Sequence, residues 1–367
     1  MYVHKQRPSW GALNKYIEDD AGWSSCGDSS SPHEASPLNP KVRRHTDGTV
    51  LEYEGTEGWF KALCRRYGWP YIVSVIVYVH LIDGFVSQTI VMASPYVFRA
   101  YEVTAPVAQL YQSVAETPFA LKAVIGLISD VLPFRGYNKA PYIMLASVLG
   151  CVSMGCTGLF PDTALPLPLI VVFLFFANLD ISVADTLSQG AFASKVRRSL
   201  SPHRGMELIT FVFLGGNFFS LLAVIFAGIV LMFTGARTLY IVSAGIAFLS
   251  IYPAAANWFE EKWVSPEATK EIRALFWQER EACLYNIIIF IMTLVFTVVI
   301  VLGRPLVAGV VGIAILLTAM AVSTLVFNPT IAKVNAFQLL MISSTINIRS
   351  AEFYFFTDTA AQFPEGP

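Results

Sequence analysis

Carboxylates and amides at helical spacing stand inside otherwise apolar stretches of this sequence. His80, Asp83 and Ser87 recur at i, i+3 and i+7, and Gln109, Gln112 and Glu116 repeat that spacing. Asn178, Ser182, Asp185 and Gln189 recur at i, i+4, i+7 and i+11, with Asp180 off their stripe. Such spacing puts each set on one face of an α-helix. A carboxylate in an apolar medium can hold a cation, exchange a proton or accept hydrogen bonds from a polar solute. Placing it at a bilayer centre costs about 2.5–3.5 kcal/mol on insertion scales, so it needs a reason to be there. A single Ser, Asn or Gln is explained as packing glue between helices, and His80 is read that way. Glue alone has no need of Asp83, Glu116 and Asp185, which point to a path for a solute or a proton.

Two further sets of charges stand apart from these stripes. Gln338, Thr345, Arg349 and Glu352 fall close together on a helical projection. Arg349 could hold an anionic substrate there, or pair with Glu352 along one helix face. Earlier in the chain Gly126 and Asp130 form a Gly-x-x-x-Asp motif, with Lys122 ahead of it and Arg135 and Lys139 behind. Gly126 is expected to let a neighbouring helix approach closely, and Asp130, at a helix end, to hold basic residues across a short loop. A clamp of that kind locks one face of a transporter and releases it when its halves rock.

The elements that must position these groups are membrane-spanning helices. Hydrophobic residues make up 55% of the chain and charged ones 14%, whereas a soluble domain carries roughly 25% charged residues. Lipid is therefore the main solvent. A crossing helix needs about 20 apolar residues and satisfies its own backbone. Runs near 70–93, 106–130, 141–160, 166–191, 207–233, 237–256, 283–302, 305–327 and 335–360 are read as spans. The second, fourth and ninth are less apolar, as expected of helices that face a protein interior or a polar path. Lys61, Arg65 and Arg66 precede the first span, Arg135 and Lys139 follow the second, and Lys195, Arg197, Arg198 and Arg204 follow the fourth, while the intervening loops carry little but Arg99 and Arg237. That asymmetry places the N-terminus in the cytoplasm.

Residues 1–58, rich in Ser, Pro, Gly and acidic side chains, read as a disordered cytoplasmic tail. Residues 59–256 read as a six-helix transmembrane half, and 257–282, with mixed charges, as a cytoplasmic helical linker. An additional helix pair would occupy 283–327, and 328–367 would begin a second half that this chain does not complete. The fold class is an all-α polytopic membrane protein on the plan of a transporter with two six-helix halves.

The run FALKAVIGLISDVLPFRGYNKAPYIMLAS resembles the signature region of the folate-biopterin transporter family, a branch of the major facilitator superfamily. Pro118, Lys122, Gly126, Ser129, Asp130, Gly136, Tyr137, Lys139, Pro141 and Tyr142 fit the family's pattern, whereas Phe119 replaces a usual Trp, Ala123 a Pro and Asn138 an Arg. DISVADTLSQGAFASKVR looks like the family's fourth span, with Gln189 where an acidic residue is common, and NAFQLL with AEFYFFTDTAAQFPEGP looks like the start of its second half. The resemblance implies a major facilitator-like helical bundle that carries a folate- or biopterin-type pterin by alternating access, coupled to protons. Beside it, Asp83, Glu116, Asp180, Asp185, Gln189, Arg349 and Glu352 are read as a solute or proton path, and Lys122, Gly126, Asp130, Arg135 and Lys139 as a cytoplasmic gate. Folates carry carboxylates, so Lys122 or Arg349 would be a sensible cationic contact. Another small metabolite such as S-adenosylmethionine, or a non-transporting remnant, is the alternative. The plasma membrane is the expected location.

Other classes fit less well. A formal net charge of −1 offers no basic surface for nucleic acid. Cys26, Cys64, Cys151, Cys156 and Cys283 form no Cys-x-x-Cys and read as small hydrophobic residues rather than metal ligands or disulfides. No metalloprotease or nucleophile-elbow motif stands in the sequence, so neither an enzyme nor a bound cofactor or metal is expected.

Overall fold

The computed structural model describes residues 58–198, 202–261, 263–278, 280–345 and 348–358, together with a short antiparallel pair, β1 (Arg43–Arg44) and β2 (Val50–Leu51). The remainder of the expected N-terminal tail, Cys26 included, lies outside the described residues.

From Trp59 onward the described elements are helices. Helix α1 (Trp59–Tyr67) ends at Gly68, whose φ of +86° makes a turn that an L side chain rarely adopts. Helix α2 (Trp69–Ala100) then runs unbroken, with Pro70 in its first turn, where no backbone donor is lost. Its middle, Ile76–Val86, is wound as a π-helix. After it come α3 (Ala105–Ala115), α4 (Thr117–Ala120), α5 (Lys122–Val131), α6 (Ala140–Leu159), α7 (Leu167–Arg198), α8 (Pro202–Phe233) and α9 (Ala236–Ala255). The last five are α10 (Pro266–Gln278), α11 (Arg280–Leu302), α12 (Pro305–Val326), α13 (Pro329–Ser344) and α14 (Arg349–Thr357).

Helices α2, α6, α7, α8, α9, α11 and α12 are long and apolar enough to cross a membrane, making the chain an all-α polytopic membrane protein. The expected second and ninth spans are not single helices. The second is α3, α4 and α5 in succession, interrupted at Glu116 and Leu121 around Pro118, which has no N–H to continue the ladder and crowds the preceding turn. The ninth stops after Ser344 and resumes at Arg349. There Ser343, Ser344 and Thr345 turn their hydroxyls back onto the carbonyls of Leu340 and Met341 at 2.8–3.2 Å, and Thr345 leaves the helix extended.

Apolar burial does little to hold helices together in lipid, so close approach and polar ties must. Gly84 of α2 lies so near α8 that a Cβ there would stand 2.8 Å from the Gly216 carbonyl. Gly158 of α6 likewise faces the backbone of α9, 3.0 Å from the Arg237 carbonyl. Tyr78, Ile82, Ile143, Leu174, Ile181 and Tyr240 fill the core between α2, α6, α7 and α9. Phe213, Leu214, Phe218, Leu221, Ile225 and Ile229 of α8 stay exposed, as a lipid-facing helix allows. Helix α11 packs on α12 and along the broken α3–α5 crossing, and α14 packs on α3.

Candidate functional site

The polar stripe of α7 meets the broken second crossing. Asp185, buried, accepts from Lys122 Nζ at 2.5 Å through one carboxylate oxygen and from Gln189 Nε2 at 2.6 Å through the other. Lys122 begins α5 immediately after the interruption at Leu121, and its ammonium lies over the Phe119 ring at 5.2 Å. Asp83, on the π-helical turn of α2, lies within range of the charges on both Asp185 and Lys122. Lys122 thus pairs with Asp185, and Asp83 is a second carboxylate within electrostatic range of the pair. The Asp185 side chain is 5% exposed but that of Lys122 is 36% exposed, and Gln189 is exposed, so the cluster opens on that side.

A second cluster lies at the break itself. Gln112 Nε2 donates to Glu116 Oε1 at 2.6 Å, and Arg349 Nη1 stands 3.7 Å from that same oxygen. The Ser350 amide donates to Gln109 Oε1 at 3.1 Å, which ties the start of α14 to the second polar stripe. Asn178 donates to the Ala115 carbonyl at 3.0 Å and joins α7 to the end of α3. Beyond this cluster Tyr354 donates to the Val103 carbonyl at 2.5 Å, and Arg99 donates to the Thr357 carbonyl at 2.7 Å with Asp358 at 3.5 Å. Helix α14 is thereby pinned along one edge of the site.

Several expectations from spacing are corrected. His80 and Asp83 do not share a face. A π-helix bonds i to i+5, so its turn is wider than 3.6 residues and side chains three apart diverge. His80 turns to α8, its Nε2 at 3.1 Å from the Phe211 carbonyl and its ring stacked on Phe219, where Gly215 leaves room for it. Asp180 turns away from the Lys122–Asp185 cluster and toward α6, accepting from Ser147 Oγ at 3.0 Å; Ser250 Oγ donates to Ser147 in turn at 2.9 Å. Arg349 reaches Glu116, while Glu352 is exposed in the first turn of α14, because the break before Arg349 ends the projection that grouped them with Gln338 and Thr345.

Lys122, grouped by its place in the sequence with the gate, is joined instead to Asp185. Gly126 is not a point of tight approach either, since a Cβ would meet the Thr186 methyl at an ordinary 3.7 Å. Asp130 is exposed at the end of α5, close enough to Lys139 to feel its charge. Arg135 occupies the left-handed region at φ 54°, with its guanidinium 5.7 Å from the Phe134 ring. Cys64, Cys151, Cys156 and Cys283 are half-buried thiols. Among the described residues no three His, Cys, Asp or Glu side chains converge as metal ligands.

Spacing also left residues unnoticed. Phe119, Ser147 and the adjacent Glu260 and Glu261 each contact a charge or a signature-loop amide, and Ser250 supports Ser147. The one visible hint was a pair of glutamates directly after the sixth span.

Residues 84–365 match the model of the BT1 family. The chain is similar to proteins of Arabidopsis thaliana named "Probable folate-biopterin transporter 6", at 26% identity over 170 residues (46% of this chain, 33% of that protein), and "Probable folate-biopterin transporter 7", at 23% over 168 residues (46% and 38%). A third, "Probable folate-biopterin transporter 4", is 27% identical over 139 residues (38% and 28%). The matched stretch thus spans about a third of the length of these relatives. No solved structure matches the chain significantly. With the family match covering most of the chain, Lys122, Asp185 and Gln189 included, this chain belongs to the BT1 family.

Proposed function

We propose that this chain carries a folate- or biopterin-type pterin across the membrane by alternating access, coupled to protons. The observation that carries the reading is the Lys122–Asp185 pair: a part-exposed ammonium held by a buried carboxylate inside a bundle of apolar helices, with Asp83 within electrostatic range. A half-exposed ammonium at such a place can receive the carboxylate of an anionic solute, and Gln189 and Gln112 supply amides for the heteroatoms of a pterin ring. The uncompensated negative charge of the cluster gives a proton something to neutralise, which is the requirement for coupling. The names of the Arabidopsis relatives support the solute class. A cytoplasmic N-terminus and residence in the plasma membrane belong to the same proposal.

The test is uptake of radiolabelled folate and biopterin into proteoliposomes with and without a proton gradient, beside a full-length relative. Gradient-dependent uptake that is lost in Lys122→Gln supports the reading. Competition by S-adenosylmethionine but not by folate would move the assignment to a cationic solute drawn by the carboxylates. No uptake by this chain while the relative transports would make it a non-transporting member.

A further inference from the structure

The loop between α5 and α6 is held by a segment far away in sequence. Glu261 stands just beyond the end of α9, and its carboxylate accepts the backbone N–H of Lys139 at 2.7 Å and that of Ala140 at 3.1 Å. These are amides at the start of α6, whose donors have no partner within the helix, and the end of the helix dipole there favours a negative group. The Lys139 residue that precedes α6 makes no side-chain cap of its own. Beside Glu261, Glu260 pairs with Lys195 near the end of α7, and the Lys195 ammonium lies 4.9 Å from the Tyr71 ring of α2.

The contact continues along the chain. The Val264 amide donates to the Gly136 carbonyl at 2.9 Å, and Trp263 sits against Gly136 so tightly that a Cβ there would fall 2.2 Å from the indole nitrogen. Gly136 is also at φ +83°, so no other residue suits the position. On α10, Arg273 Nε donates to the Val131 carbonyl at 3.1 Å, at the end of α5. Among the described residues four non-glycines have positive φ, and Arg135, Asn257 and Glu260 of this contact are three of them. Asn257 locks its own turn by exchanging bonds with the Glu261 backbone, both at 3.0 Å. Left-handed backbone at several residues persists only where the surroundings over-determine it.

We propose that Asn257, Glu260, Glu261, Trp263 and Val264 form a clip by which the linker holds the signature loop against the ends of α5, α6 and α7, and that Glu261 is its positioning residue. The gate on this side is then worked through the linker. A movement of α10 reaches Arg135, Gly136 and Lys139 without passing through the Lys122–Asp185 cluster. The clip stands whatever solute the chain carries.

Hydrogen–deuterium exchange of the full chain in lipid nanodiscs tests it without any transport assay. Glu261→Ala should speed exchange across residues 134–143 at least ten-fold while amides in the middle of α6 and α7 keep their rates. Glu261→Gln should fall between, because an amide oxygen accepts a hydrogen bond but brings no charge to the helix end. Trp263→Ala removes the ring over Gly136 and no hydrogen bond, and should loosen the same loop. Unchanged exchange of the loop in Glu261→Ala, or equal acceleration throughout α6 to α9, would overturn the clip. Should Glu261→Ala not fold, the same criteria apply to Glu261→Gln and Trp263→Ala, and an unaltered loop in both rejects the proposal.

Discussion

Lys122 and Asp185 form one ion pair, yet removing either partner should cost very different amounts. The Asp185 side chain is 5% exposed and the Lys122 side chain 36%. Lys122→Met keeps the length of the side chain but leaves Asp185 buried with Gln189 as its remaining described side-chain donor, and with the charge of Asp83 still within range. Breaking a buried pair from one side costs about 3–5 kcal/mol, and the surviving Gln189 bond brings this to about 2–4 kcal/mol. Asp185→Asn leaves an ammonium that still reaches water, the Phe119 ring and the charge of Asp83. Its cost should therefore be about 0.5–1.5 kcal/mol, nearer the value of an exposed pair. The double variant should cost less than the sum by about 1–2 kcal/mol, since Met no longer strands a charge beside Asn. Reversible unfolding of the four versions in mixed micelles measures the cycle. Equal costs for the two single variants, or a larger one for Asp185→Asn, would refute the claim that the buried carboxylate depends on the lysine.

In proteoliposomes Asp185→Asn should lose proton-driven accumulation at least ten-fold while keeping counterflow, because Asn has the shape but cannot ionise; unchanged rates in both assays would remove Asp185 from the path. Gly150→Ala should destabilise the bundle by about 1–3 kcal/mol by overpacking, since its Cβ would lie 2.5 Å from Asp180. Gly126→Ala, with 3.7 Å of room, should stay within about 0.5 kcal/mol of the parent in the same thermal unfolding assay; the reverse order would discard this account of the packing. Cysteines at His45 and Ala268, on a background free of native ones, should resist an impermeant thiol reagent in intact cells and react after permeabilisation. Labelling from outside would invert the orientation drawn from Lys and Arg.

Most of the crossing helices were legible in the sequence because a helix in lipid must satisfy its own backbone, which makes length and apolarity sufficient evidence. That is why α6, α8, α9, α11 and α12 stand close to where the hydropathy runs place them. The unusual polarity of 106–130 and 335–360 was also visible, but not that each would break, which turns on the local bonding of Pro118 and of Ser343, Ser344 and Thr345. The signature loop announced its family by its residues alone.

What the tertiary structure decided is which way each polar side chain turns. Helical spacing assigns a face only if the helix is α, and the π-wound middle of α2 separates His80 from Asp83, leaving the aspartate within electrostatic range of Lys122 and Asp185. Asp180 and Asp185, five residues apart on α7, face different neighbours, one Ser147 and the other Lys122; spacing put Asp180 off the polar stripe but could not name either partner. The capping of α6 by Glu261 is more remote still, 121 or 122 residues along the chain from the amides it accepts. Hydropathy sums along the chain, so it determined what crosses the membrane; a charge inside the membrane is stabilised only by what lies across from it, and that depends on helix rotation and packing, which local sequence does not contain.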